Sequence, residues 1–169
     1  MLTSFRMGIT VLAAFAAASL TLASAQTEKI MSKPSKEFLS PKTLIAPGPA
    51  GYSHIAKITK GSLIYTAGQV PCDASGKLVG EGDFRIQVEH VFGNVKRAVE
   101  AAGGTMADVV KITTYVVATV DQADLPKFRV ARDRHVNVKN PPASTLLFVS
   151  RLAQPGWLVE IEAVAALDA

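Results

Sequence analysis

Between Phe84 and Ala102, apolar residues recur at steps of four, three, four, three and four: Phe84, Val88, Val91, Val95, Ala98 and Ala102. That is the period of one helix face, and Arg85, Glu89, Lys96, Arg97 and Glu100 fall mostly off it. Asp83 stands where an N-cap belongs, and Gly103-Gly104 supply the left-handed turn that ends a helix. The spacing predicts a helix of about nineteen residues with one stripe that another layer must cover. Its neighbours say which layer. Val109–Val117 is rich in β-branched residues and reads as a strand. Leu125–His135 reads as a second, less regular helix, stopped by Asn140-Pro141-Pro142. Ala143–Val149 and Trp157–Ala166 are strands about the turn Gln154-Pro155-Gly156, and Tyr52–Ile58 and Ser62–Ala67 are strands about Lys60-Gly61. The order β-β-α-β-α-β-β implies an α+β fold, one mixed β-sheet with two helices packed on one face.

The chain's beginning carries a different message. One cation, Arg6, precedes about fifteen uncharged, mostly apolar residues (Gly8–Leu22) and then Ala23-Ser24-Ala25. This is the pattern of a cleavable signal peptide over residues 1–25, and the apolar run is shorter than the roughly 20 residues that span a bilayer. The expectation is an exported protein, in the bacterial periplasm, with no membrane attachment once the leader is removed. Residues 26–47, with Lys29, Lys33, Lys36 and Lys42 among serines and prolines, read as a linker. Residues 48–169 then form the domain. Cleavage leaves 169 − 25 = 144 residues, the size of one ordinary domain.

Composition removes several classes of partner. The net charge of +4 becomes +3 without Arg6, with no long basic run after Lys42, so no nucleic acid is expected. A single cysteine, Cys72, allows no intramolecular disulfide and suits a packed position or a turn. His54, His90 and His135 fall on different elements with no metal-binding spacing, and His90, beside the apolar stripe, reads as a packed side chain. No metal and no cofactor is expected.

The last strand constrains the assembly. Side chains alternate along a strand, so Val159, Ile161, Ala163 and Ala165 share one face while Glu160, Glu162 and Val164 share the other. Two carboxylates thus lie about 7 Å apart on the face away from the helices, from a rise of about 3.4 Å per residue. In the strand 143–149, Leu146 and Phe148 face one way and Thr145, Leu147 and Val149 the other, so it is apolar on both sides. A sheet covered by helices on one side only should not be. Its second face is expected to pack on other subunits, with the carboxylates lining a cleft between them. The plainer alternative is that Glu160 and Glu162 sit at a solvated edge or pair with Arg151.

Several segments, taken in order, resemble the RidA/YjgF family of reactive intermediate deaminases. They are Leu63–Pro71 (LIYTAGQVP), Asn94-Val95-Lys96 with Glu100-Ala101-Ala102-Gly103, and Asp108–Val116 (DVVKITTYV). Pro142-Ala143, Val149-Ser150-Arg151-Leu152 and Val159–Ala163 (VEIEA) complete the set, which covers Ile45–Leu167. The resemblance implies a chorismate-mutase-like fold and a homotrimer with small-molecule clefts at the subunit interfaces. Active members hydrolyse enamine and imine intermediates using an arginine directly after the Pro-Ala that opens a strand, where it grips the substrate carboxylate. Here that position is Ser144, which has neither the charge nor the reach. Glu160 matches the glutamate proposed to position or activate water, a role worth about 10²–10⁴-fold.

Gly68 and Gln69 match the family's Ser-Gly-Gln, with Ala67 in place of the serine, and Arg151 matches an arginine of structural role. Ala143 lies beside Ser144 at the cleft. Tyr52 either matches the family's aromatic at the cleft mouth or packs within a strand. The resemblance thus implies a trimer that binds a small carboxylate- or carbonyl-bearing metabolite, with Glu160 and Ser144 at the catalytic positions and Tyr52, Gly68, Gln69 and Ala143 as ligand contacts. Imine hydrolysis would be weakened or lost. The alternative is a working imine/enamine deaminase that borrows an arginine from the second helix: Arg129, Arg132 or Arg134. Some relatives carry an older endoribonuclease name, but this chain has no basic stripe, aromatic platform or histidine pair for phosphodiester chemistry.

Overall fold

A computed structural model describes residues 35–168, so the leader expected over residues 1–25 lies outside the described residues. Strands β1 (Lys36–Leu39), β2 (Ile55–Ile58) and β3 (Ser62–Tyr65) lead into helix α1 (Phe84–Ala101). Strand β4 (Val109–Val117), helix α2 (Leu125–Asp133), and strands β5 (Ala143–Val149) and β6 (Val159–Leu167) follow. The main sheet runs β3-β6-β4-β5, with β4 and β5 parallel and the other pairs antiparallel. It is therefore mixed, and β1 and β2 form a separate antiparallel ribbon.

That ribbon departs from the sequence expectation in two ways. Lys36–Leu39 lies inside the stretch read as a linker, yet it pairs along its whole length with β2. The strand expected from Tyr52 starts only at Ile55, although Ser53 makes one parallel bridge to Ala143 at the start of β5. The reason for β1 is non-local. Lys36 Nζ donates to Asp108 Oδ1 and to the Ala166 carbonyl, both at 2.8 Å, which pins a four-residue strand that has little propensity of its own.

The core lies between the sheet and α1. Asp83 caps the helix by accepting from the Ile86 amide at 2.9 Å, and Gly103 (φ +85°) turns the chain out of it. Its buried residues are Phe84, Gln87, Val88, Val91, Phe92, Val95 and Val99. They meet Ile112 and Val116 of β4 and Val159, Ile161, Ala163 and Ala165 of β6 in one cluster, joined by Phe128 and Ala131 of α2. Burying each of these valines is worth about 1.5–3 kcal/mol. The stripe differs in detail from the expected one: Val99 and Phe92 replace Ala98 and Ala102, because the buried face is wider than a single row.

Polar side chains of α1 hold the loops that frame the site. Gln87, fully buried, donates to the Gly80 and Gly156 carbonyls and accepts from the Leu158 amide at 2.8 Å, which fixes the entry to β6. Asn94 donates to the Val70 and Cys72 carbonyls. His90 is a packed histidine bonded to the Cys72 carbonyl at 3.0 Å.

Candidate functional site

The alternation of β6 is realised. Val159, Ile161, Ala163 and Ala165 are buried beneath the helices, whereas Glu160, Glu162 and Val164 stand half-buried on the open face. Beside them on that face are Lys111 and Tyr115 of β4, since Tyr115 is paired with Glu160 and Lys111 with Val164. An open cleft of about 490 Å³ is lined by Tyr115, Val149, Arg151, Leu152, Glu160 and Glu162. Although Arg151 lines this cleft, no ion pair joins it to either glutamate among the described residues.

The Glu160 side chain packs against the backbone of a neighbouring segment, and no ion pair engages it among the described residues. The segment 66–69 runs antiparallel beside β6: Thr66 N donates to the Ala163 carbonyl, and Gln69 and Ile161 exchange bonds of 2.8 and 3.0 Å. Gly68 thereby lies directly under the Glu160 side chain. A Cβ at residue 68 would stand 1.8 Å from Glu160 Oε1, so only glycine leaves room for the carboxylate. Gln69 turns its amide back to the Ala67 carbonyl at 3.1 Å.

Electrostatics on this face make Glu160 harder to ionise than a solvated carboxyl. Burial raises its pKa above the ordinary carboxylate value, and the Glu162 carboxylate raises it further. Burial likewise raises the pKa of Tyr115, helped by Glu162, whose Oε1 accepts its hydroxyl at 3.4 Å, and by Glu160. Burial lowers the pKa of Lys111, opposed by Glu162; its ammonium donates to Thr145 Oγ1 at 2.8 Å. A carboxyl whose pKa is raised holds its proton to higher pH than a solvated one, which makes it a candidate for proton transfer.

Ser144 is on the other side of the sheet. It pairs with the buried Ile112 and lines a cavity of about 210 Å³ with Tyr52, Leu125, Phe128, Arg129, Arg132 and Leu146. Tyr52 meets His54 edge-on at 5.2 Å between ring centroids and belongs to this cavity rather than to a strand. Ala143 is bridged to Ser53 at the start of β5. The predicted residues therefore fall into two groups: Glu160, Gly68 and Gln69 on one side, and Ser144, Tyr52 and Ala143 around the start of β5. Within one chain Glu160 and Ser144 occupy opposite faces and cannot touch one ligand together.

Of the three arginines named above, Arg134, just past the end of α2, is drawn off to Glu89 on α1, and Arg129 and Arg132 of α2 line the Ser144 cavity. Composition and spacing could not separate the three. Among the described residues no group of three or more His, Cys, Asp or Glu is placed to hold a metal ion.

A mixed sheet under two helices, with a glutamate seated over Gly68 of an extended segment paired with β6, marks a small α+β domain. The sequence model described as Endoribonuclease L-PSP matches residues 44–167. A RutC family protein of Pyrococcus abyssi is 36% identical over 121 residues, 71% of this chain and 90% of that protein. Protein HMF1 of Saccharomyces cerevisiae is 32% identical over 118 residues, 69% of this chain and 84% of that protein. Among solved structures, the Rid-family protein YyfB of Yersinia pestis aligns with TM-score 0.73 at 34% identity, covering 79% of this chain and 100% of its own. Escherichia coli TdcF with bound serine aligns with TM-score 0.54 at 26% identity, covering 79% of this chain and 100% of its own. The chain belongs to the Rid (RidA/YjgF) family, the one described as Endoribonuclease L-PSP.

Proposed function

We propose that this protein is an exported homotrimer that binds a small carboxylate- or carbonyl-bearing metabolite in clefts between subunits, with imine hydrolysis weakened or lost. The observation that carries this reading is the separation of Glu160 from Ser144 by the thickness of the sheet. A ligand that meets both must lie between two copies, one offering its open face and the other its Ser144 cavity. The open face supports such packing, since Leu63, Tyr65 and Leu147 are 46, 72 and 42% exposed there. The bound serine of TdcF supports a small amino- or oxo-acid as the ligand class.

Loss of rapid turnover follows from Ser144. A hydroxyl cannot make the paired, charge-assisted bonds of a guanidinium, so the carboxylate lacks its family anchor. The second reading, an active deaminase, is favoured by Glu160's raised pKa and by the two arginines beside Ser144. Hydrolysis of 2-iminopropanoate by the purified protein, with sedimentation to establish its oligomeric state, tests the choice. A trimer with a rate no greater than the spontaneous one is expected. A robust enzymatic rate would overturn the first reading in favour of the second, and a monomer would overturn both.

A further inference from the structure

The cavity beneath Ser144 is built largely by one stripe of α2. Leu125, Phe128, Arg129 and Arg132 stand at i, i+3, i+4 and i+7, so all four face β5, where Ser144 and Leu146 close the floor. Tyr52 and Ala50 close the side. Among the described residues no carboxylate lines this space, and two arginines do.

The two arginines do different work. Arg132 is 5% exposed and already engaged. Its Nη1 donates to the Ala50 carbonyl at 2.6 Å, and its Nε and Nη2 donate to Asp133 Oδ1 at 2.9 and 2.7 Å. It fastens the turn at residues 48–50 to the helix. Arg129 is half-buried in the same wall and has no hydrogen bond or ion pair among the described residues. A guanidinium partly withdrawn from water and left without a counter-ion favours an anion that can reach it.

We propose that Arg129 is the carboxylate-gripping residue of this protein, supplying from the helix the charge that Ser144 does not supply from the strand. The inference rests on the ligand reading above, a small 2-oxo or 2-amino monocarboxylic acid, and deepens it by naming the residue of this chain that holds the carboxylate. The guanidinium takes the carboxylate in a two-pronged bond, and the hydroxyls of Tyr52 and Ser144 face the polar group at carbon 2. Leu125, Phe128 and Leu146 receive a short apolar tail. A space of about 210 Å³ is below the usual range for drug-sized ligands and suits a metabolite of a few heavy atoms.

Calorimetric titration of the assembled protein with pyruvate, and with methyl pyruvate as a neutral counterpart, tests the assignment. Arg129→Gln is expected to weaken pyruvate at least about tenfold and to leave methyl pyruvate unchanged, and Arg129→Lys to recover part of the loss. Unchanged pyruvate affinity in Arg129→Gln would overturn the role of Arg129 and leave the ligand reading standing. If the wild-type protein fails to bind pyruvate but Ser144→Arg binds it, Arg129 is again excluded and the cleft remains a carboxylate site awaiting its strand arginine. If neither binds, both the inference and the ligand reading fall.

Discussion

Gly68→Ala should separate the geometry of the site from the stability of the fold. The added methyl would stand 1.8 Å from Glu160 Oε1, 2.7 Å from Cδ and 2.9 Å from Cγ. Ordinary van der Waals contact begins near 3.4 Å, so the carboxylate oxygen must retreat by about 1.6 Å. Residue 68 is not among the glycines with positive φ, so alanine is acceptable to the backbone there. Restricting the unfolded chain stabilises by about 0.4–1 kcal/mol, and forcing Glu160 off its preferred rotamer costs about 0.5–1.5 kcal/mol. The two nearly cancel, and a net change within about 1 kcal/mol is expected.

The site has no such compensation. A displacement of about 1 Å from productive geometry can cost on the order of 10²-fold, so any activity or ligand response that depends on Glu160 should fall as far as in Glu160→Ala. Urea unfolding followed by the fluorescence of the single tryptophan, Trp157, reads the first quantity, and pyruvate titration reads the second. A loss of more than about 3 kcal/mol would show that glycine serves the backbone rather than the carboxylate, since it exceeds both terms. Wild-type ligand response at unchanged stability would show that the seat of Glu160 does not matter.

Two further expectations concern pH. Glu160→Gln should stabilise the protein at about pH 7, by less than about 1 kcal/mol given the partial exposure of the group. A raised folded pKa gives stability that is present below the unfolded carboxyl value and lost as pH rises through the folded one, so the advantage should vanish near pH 3 and grow toward neutrality; urea midpoints at both values check it. Lys36→Ala should cost about 1–2 kcal/mol at neutral pH by removing the bonds to Asp108 and the Ala166 carbonyl. Burial alone would raise the Asp108 pKa, but Lys36 and Thr105 outweigh it and hold the carboxyl below its ordinary value. Its contribution is therefore lost as pH falls through that lowered value, and the gap between mutant and wild type should narrow in acid to what the bond to the Ala166 carbonyl leaves.

The helices and four main strands were legible because their information is local. Phe84, Val88, Val91 and Val95 announce α1, and the β6 alternation assigns Glu160 to the open face before any coordinate is known. Strand β1 was not legible, because what makes Lys36 part of a strand is a carboxylate 72 residues away and a carbonyl 130 residues away. Buried Gln87 was missed for the same reason: two of its partners, the Gly156 carbonyl and the Leu158 amide, lie 69 and 71 residues away. At the site, the family pattern pointed to Ser144, and the sequence offered three arginines in or just after α2 as substitutes. Only the packing of α2 on β5 distinguishes Arg129, which faces the cavity with no partner among the described residues, from Arg132, committed to Ala50, and Arg134, committed to Glu89.

The division of Glu160 and Ser144 between the two faces of the sheet also has a genetic meaning. If every cleft draws one half from each of two copies, an allele broken at Glu160 still carries a sound Ser144 cavity, and an allele broken in that cavity still carries a sound Glu160. Two defective versions expressed together would rebuild some working clefts in mixed trimers, although neither rebuilds any alone. A chain with both lesions would rescue nothing. Inheritance at this locus would then follow the pairing of half-sites rather than the count of good copies.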